Sequence, residues 1–150
     1  MNDGLPAAVT RARAVCAGET DQIALMASIA CELFHGDPRC DWVGFYRVTA
    51  PELLTIGPYQ GGHGCLRIPF DKGVCGAAAR ERRTQLVPDV EAFPGHIACS
   101  STTRSELVVP VLDSAGSVIA VLDLDSDAAD AFTIADAALL ERFMQDVFAV

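Results

Sequence analysis

Two apolar runs near the C-terminus, 107–112 and 117–125, are separated only by Asp113-Ser114-Ala115-Gly116. A connection that short joins antiparallel strands, because parallel neighbours need a crossover of a dozen or more residues. The chain is therefore committed to an antiparallel sheet. Side chains alternate between the faces of a strand. Val118, Ala120, Leu122 and Leu124 share one face; Ile119, Val121, Asp123 and Asp125 share the other. The first face demands an apolar cover. The second begins apolar and ends in two carboxylates side by side.

The cover is legible at both termini. Residues 5–17 are Ala- and Arg-rich, and Gly18 interrupts them. A second helix starts near Thr20 or Asp21, both good N-caps. Ile23, Met26, Ala30, Leu33 and Phe34 fall on one of its faces, and Gly36 and Pro38 stop it. His35 reads as a C-terminal cap residue. At the other end Thr133 looks like an N-cap with Asp136 in the capping-box place. Ile134, Ala137, Leu140, Phe143 and Val147 recur at helical spacing and point inward. Between the helices the texture is β-like. Residues 42–48 are aromatic and β-branched. Residues 53–56 form a short strand ended by Gly57-Pro58. Leu66, Ile68 and Phe70 alternate with Arg67 and Pro69. A short helix spans 73–83, another strand 85–87, and a long irregular stretch 88–105. Loops of that length in compact domains are functional or disordered. The expectation is an α+β domain over residues 1–150: an antiparallel sheet with the terminal helices packed on one face.

Charge narrows the partners. Lys plus Arg is 11 and Asp plus Glu is 20, a net charge of −9. That opposes binding to a phosphate backbone or an anionic membrane surface. No apolar run approaches the roughly 20 residues of a spanning helix. The N-terminus has no basic region followed by an apolar stretch, so no signal peptide is expected and the cytoplasm is the expected compartment. Thiols are kept reduced there. The six cysteines, Cys16, Cys31, Cys40, Cys65, Cys75 and Cys99, then point to redox or metal chemistry rather than structural bridges.

Three constellations could carry chemistry. Asp123 and Asp125 are like charges on a partly apolar surface, which raises a carboxyl pKa. A carboxylic acid kept protonated can donate to a substrate oxygen. The bland alternative is a strand that merely ends in solvent. Cys65 lies in the Gly-rich stretch 60–65, Cys75 at a helix start and Cys99 in the long loop. A thiol near a helix N-terminus has its thiolate favoured, which suits Cys75 and Cys99. An oxidised thiol condenses with a second cysteine in reach, and Cys65 and Cys99 sit on segments free to meet. Cys16 and Cys31 read as small buried hydrophobes, and Cys40 has no evident partner. His63, Cys65, His96 and Cys99 would suffice for tetrahedral zinc, but not at a standard spacing. Trp42 and Tyr46 share a face, as core aromatics or as one wall of a pocket.

Six blocks occur in one order: 41–46 (DWVGFY), 57–61 (GPYQG), 73–76 (GVCG), 93–99 (FPGHIAC), 105–110 (SELVVP) and 121–126 (VLDLDS). As a set they resemble the free methionine-(R)-sulfoxide reductase family, built on the GAF fold. The resemblance implies thiol-dependent reduction of free L-methionine-(R)-sulfoxide to methionine, with no cofactor and no metal. It matches Cys99 to the nucleophile and Cys65 to the cysteine that resolves the sulfenic acid as a disulfide. Cys75 matches a supporting or alternative resolving cysteine. Glu106, Asp123 and Asp125 match the acids that hold the substrate and its sulfoxide oxygen. Trp42 and Tyr46 match the aromatic wall around the methyl-sulfur end. It also implies recycling by thioredoxin, a homodimer, and no nucleic-acid or membrane partner. Gly62, Gly64 and Ser100 stand where that pattern carries Lys, Ala and Asp; the two glycines are expected to loosen the loop bearing Cys65. The competing class is a GAF-type binding or redox-sensing module without turnover, discriminated by product formation.

Overall fold

The computed structural model describes residues 4–150; residues 1–3, part of the N-terminal stretch read above for a leader, lie outside the described residues. Four helices and six strands follow in the order α1 (Leu5–Cys16), α2 (Gln22–Gly36), β1 (Trp42–Ala50), β2 (Leu53–Gln60), β3 (Arg67–Pro69), α3 (Gly73–Glu81), β4 (Gln85–Val87), β5 (Ser105–Leu112), β6 (Val118–Ser126) and α4 (Ile134–Phe148). The strands form one sheet in the order β3-β2-β1-β6-β5-β4. Every pairing is antiparallel. The non-consecutive pair β1–β6 joins the two halves of the chain.

The capping chemistry is where the residue types put it. Asp21 caps α2, accepting from Ala24 N at 2.9 Å. Thr133 and Asp136 form a reciprocal capping box at α4. His35 lies in the last turn of α2, one residue inside Gly36, edge-on to Phe34.

Leu122, Leu124, Phe45, Leu107 and Val109 meet α1, α2 and α4 in the main core. Val108, Val121 and Tyr46 face the other way, toward α3 and the loops. Two isoleucines depart from the expected inward faces. Ile23 is 50% exposed and Ile134 81% exposed. At 3.6 residues per turn, each lies about 120° around its helix from the buried centre, Ile29 in α2 and Leu140 in α4. The spacing admitted them; the width of the contact with the sheet did not.

Gly57-Pro58 does not end β2, contrary to the expectation. Tyr59 lies opposite Gly44 and Ile56 opposite Tyr46. Residues 57 and 58 therefore both face Phe45. Such a bulge absorbs the proline and lets the strand run on to Gln60. The long stretch 88–104 is tied down rather than loose. It opens with a 3-10 turn, Val90–Ala92, capped by Asp89. Gly73 N donates to Gly95 O at 2.9 Å, and Arg104 N to Ser126 O at 2.8 Å. No described helix is long and apolar enough to cross a membrane.

Candidate active site

On the face opposite the helical layer, the sheet register sets charged and aromatic residues in rows. Trp42 lies opposite Asp125, which lies opposite Glu106. In the next row Gly44 lies opposite Asp123, which lies opposite Val108. Both rows run across β1, β6 and β5. They floor a cavity of about 230 Å³. Cys75 enters from the first turn of α3; Cys65 and Cys99 descend from the loops on either side.

Gly44 leaves open the space where a side chain would stand. A Cβ there would overlap the Trp42 ring and Tyr59 Cβ. Without it, Trp42 stacks on Tyr46 at 5.9 Å between ring centroids and on Tyr59 at 5.4 Å. Tyr59 was not foreseen as part of the wall; a glycine in an otherwise aromatic strand is the signal of close approach that points to it. Trp42 Nε1 donates to Gly62 O at 2.8 Å. At Gly64 a Cβ would come within 2.8 Å of Tyr46 Oη and 3.0 Å of Trp42 Cζ2. Gly64 thus lets the Cys65 loop lie hard against the aromatic wall, whereas a side chain at Gly62 would meet only open space.

Cys65 and Cys99 are joined by a disulfide, with Cα atoms 5.3 Å apart and a separation of 34 positions in sequence. Both are half-buried at the cavity's edge. The bond takes two donors from the zinc set of His63, Cys65, His96 and Cys99. Cys16, Cys31, Cys40 and Cys75 are free. Cys16 and Cys40 are buried and Cys31 half-buried, as small apolar side chains.

Burial, then the charges of Asp123 and Asp125, raises the Glu106 carboxyl well above its ordinary range. Burial, then Asp125, does the same to Asp123. Asp125 is raised by burial, against the hydrogen bonds it receives from Glu106 and Asp123. The strand thus does not end in solvent: Asp123 is 4% exposed and Ser126 1%, with Asp125 half-buried between them. No Lys or Arg lines this cavity. Three buried acids with no Lys or Arg beside them resist ionising together, so the cluster holds protons more tightly than free carboxyls do. Glu106 enters it from directly opposite Asp125 in the β5–β6 register, so one hairpin places all three acids together.

Cys75 contradicts its expectation. It does sit at a helix start, but it is 4% exposed. Burial, then Asp123, Glu106 and Asp125, pushes its thiol well up, and the thiol is hydrogen-bonded to Asp123. The neutral thiol is favoured, because a helix terminus contributes little against desolvation and three nearby acids.

A GAF domain family model matches residues 17–149. The free methionine-R-sulfoxide reductase of Escherichia coli is 39% identical over 123 residues, 82% of this chain and 73% of that protein. The chain belongs to the free methionine-R-sulfoxide reductase family. Among solved structures, the free methionine-R-sulfoxide reductase of Neisseria meningitidis in complex with its substrate is 42% identical. Its TM-score is 0.87, covering 93% of this chain and 83% of that one. The reduced form of fRMsr of Staphylococcus aureus is 37% identical with a TM-score of 0.88, covering 95% of this chain and 91% of that one. The GAF fold of the family is thus the antiparallel sheet with its helical layer described above. Members of the family resembled at the outset share with this chain its whole architecture, not only the six blocks.

Proposed function

We propose that this chain reduces free L-methionine-(R)-sulfoxide to L-methionine, with Cys99 as nucleophile. The observation that carries the reading is the Cys65–Cys99 disulfide at the edge of a cavity floored by buried acids whose pKa is raised. A sulfoxide sulfur is a poor electrophile until its oxygen is protonated or strongly hydrogen-bonded. An acid of the Glu106, Asp123 and Asp125 cluster supplies that proton. The Cys99 thiolate attacks sulfur, the oxygen passes to Cys99, and methionine leaves. Cys99 is then a sulfenic acid. The Cys65 thiol displaces its hydroxyl as water and closes the disulfide. A dithiol reductant, thioredoxin, reopens the bond by exchange at these two half-buried sulfurs. The ionised member of the acid cluster holds the substrate ammonium. Trp42 and Tyr46 close around the methyl-sulfur end. Cys75, protonated beside Asp123, supports the acid cluster and stands in reserve as a second resolving thiol.

The GAF domain occupies residues 1–150 as one unit; the β1–β6 pairing, which ties both halves into one sheet, supports this. A homodimer belongs to the same reading, as the family resemblance implies. Four free cysteines beside one redox pair suit a reducing compartment, the cytoplasm.

The test is consumption of the separate R and S epimers of free methionine sulfoxide with thioredoxin or dithiothreitol. Loss of the R epimer alone, with methionine appearing, is expected; Cys99→Ser should abolish it while the fold persists. Failure of fully reduced, folded protein to turn over either epimer would leave a binding module.

A further inference from the structure

The cavity floor holds one group that an amino-acid substrate does not call for. Cys75 Sγ and one oxygen each of Glu106 and Asp123 lie within 4.8 Å of one another. All three side chains are buried. Asp123 Oδ1 and Asp125 Oδ1 are buried with no hydrogen-bond partner. Asp123 and Asp125 both line the cavity. Leaving a buried oxygen unpaired costs about 1–3 kcal/mol. An ammonium group would satisfy such oxygens, but a sulfur is a weak acceptor for it. A sulfur among carboxylates is instead a donor set for a borderline-soft cation.

We propose that Cys75, Glu106 and Asp123 form a zinc(II) site on the cavity floor. Thiolate sulfur and carboxylate oxygen both bind zinc, and the sulfur selects against magnesium and calcium. With Zn–S about 2.3 Å and Zn–O about 2.1 Å, tetrahedral donors lie roughly 3.4–3.6 Å apart. Small side-chain rotations close the present spacing to that. Water from the cavity completes the fourth position of such a three-ligand site. The thiol and carboxyl protons leave to solvent as the ion binds, so uptake releases protons. None of these ligands belongs to the Cys65–Cys99 bond, so the site forms while the disulfide is closed. The bound ion and a sulfoxide substrate exclude each other; that consequence rests on the function proposed above, whereas the binding itself does not.

The full chain, with its disulfide formed, should be titrated with zinc chloride alone by calorimetry in two buffers of different ionisation enthalpy. Cobalt(II) replaces zinc for absorption spectroscopy. One ion per chain is expected, with net proton release and a thiolate-to-cobalt charge-transfer band. Cys75→Ser should abolish the band and, like Asp123→Asn, weaken zinc binding about tenfold or more. Cys31→Ser should keep the band. No uptake at submillimolar zinc, or uptake unchanged in both Cys75→Ser and Asp123→Asn, overturns the proposal. Should Cys75→Ser fail to fold, absence of the cobalt band in the unaltered protein overturns it equally. None of these readouts requires turnover, so they stand apart from the fate of the reductase reading.

Discussion

Two buried acid clusters in this chain are made of the same side chains and held in opposite ways. Asp37, at the end of α2, and Asp136, in the first turn of α4, share one guanidinium. Arg39 Nη2 lies 2.6 Å from Asp37 Oδ2, and Nη1 lies 2.7 Å from Asp136 Oδ2. Arg39 also donates to Ala131 O and lies over the Phe132 ring. Burial pulls the Asp136 carboxyl up, hydrogen bonds from Arg39 and Thr133 pull it down, and the net is down. Glu106, Asp123 and Asp125 have one another and the Cys75 thiol but no Lys or Arg, and all three go up. A buried acid with a cation fastens two helices. A buried acid without one becomes a proton store that costs stability and can do chemistry. The difference lies in one partner, not in the carboxylates.

The largest expected effect tests the store. Asp123→Asn keeps the hydrogen bond but cannot give up a proton. Its kcat on free methionine-(R)-sulfoxide should fall about 10²–10⁴-fold, roughly 3–5 kcal/mol of barrier. An unchanged kcat would remove the acid role and with it half of the contrast. Next is the fastening. Arg39→Met leaves two buried acids without their cation and should cost about 3 kcal/mol of unfolding free energy in urea. That is the low end for a buried pair, because the Arg39 side chain is 33% exposed. Its kcat should stay as it was; a loss under about 1 kcal/mol would make the two clusters alike. Thr133→Ala removes a cap from the same α4 terminus and should cost about 1 kcal/mol, read as a lower Tm.

The smallest effect at any single pH carries the clearest sign. For the raised acids the unfolded chain releases its protons first as pH climbs past about 4, while the folded form keeps them. Stability is lost as pH rises toward the folded pKa, so Asp123→Asn should melt above the unaltered protein, by a gap that widens as pH climbs above about 4. For Asp136, lowered in the fold, the stabilisation is present above the unfolded pKa and lost as pH falls through the folded one. Asp136→Asn should therefore be weaker at neutral pH and indistinguishable in strong acid. Parallel melting curves for both variants would contradict the opposite settings of the two clusters.

Much of this was legible beforehand because it is local. The hairpin around Asp113-Ser114-Ala115-Gly116, the strand 85–87, the Thr133 box and the shared face of Trp42 and Tyr46 all follow from short spacings. Asp123 and Asp125 were visible as a pair for the same reason. Tyr59 was not, because its place on the wall depends on a bulge opposite Phe45. Cys75 was misread: a helix start was visible, and the three acids around it were not. Ile23 and Ile134 matched the helical period, but how wide a stripe the sheet covers is set by packing.

By itself the sequence determined the elements, their antiparallel order through short connections, and which side of each strand a residue occupies. Those are consequences of backbone geometry over a few residues. Only the tertiary structure decided that β1 pairs with β6, and that one acid cluster has an arginine and the other has none. Protonation is collective: it depends on what every neighbouring strand and loop brings to a buried carboxyl. No window along the chain contains that information.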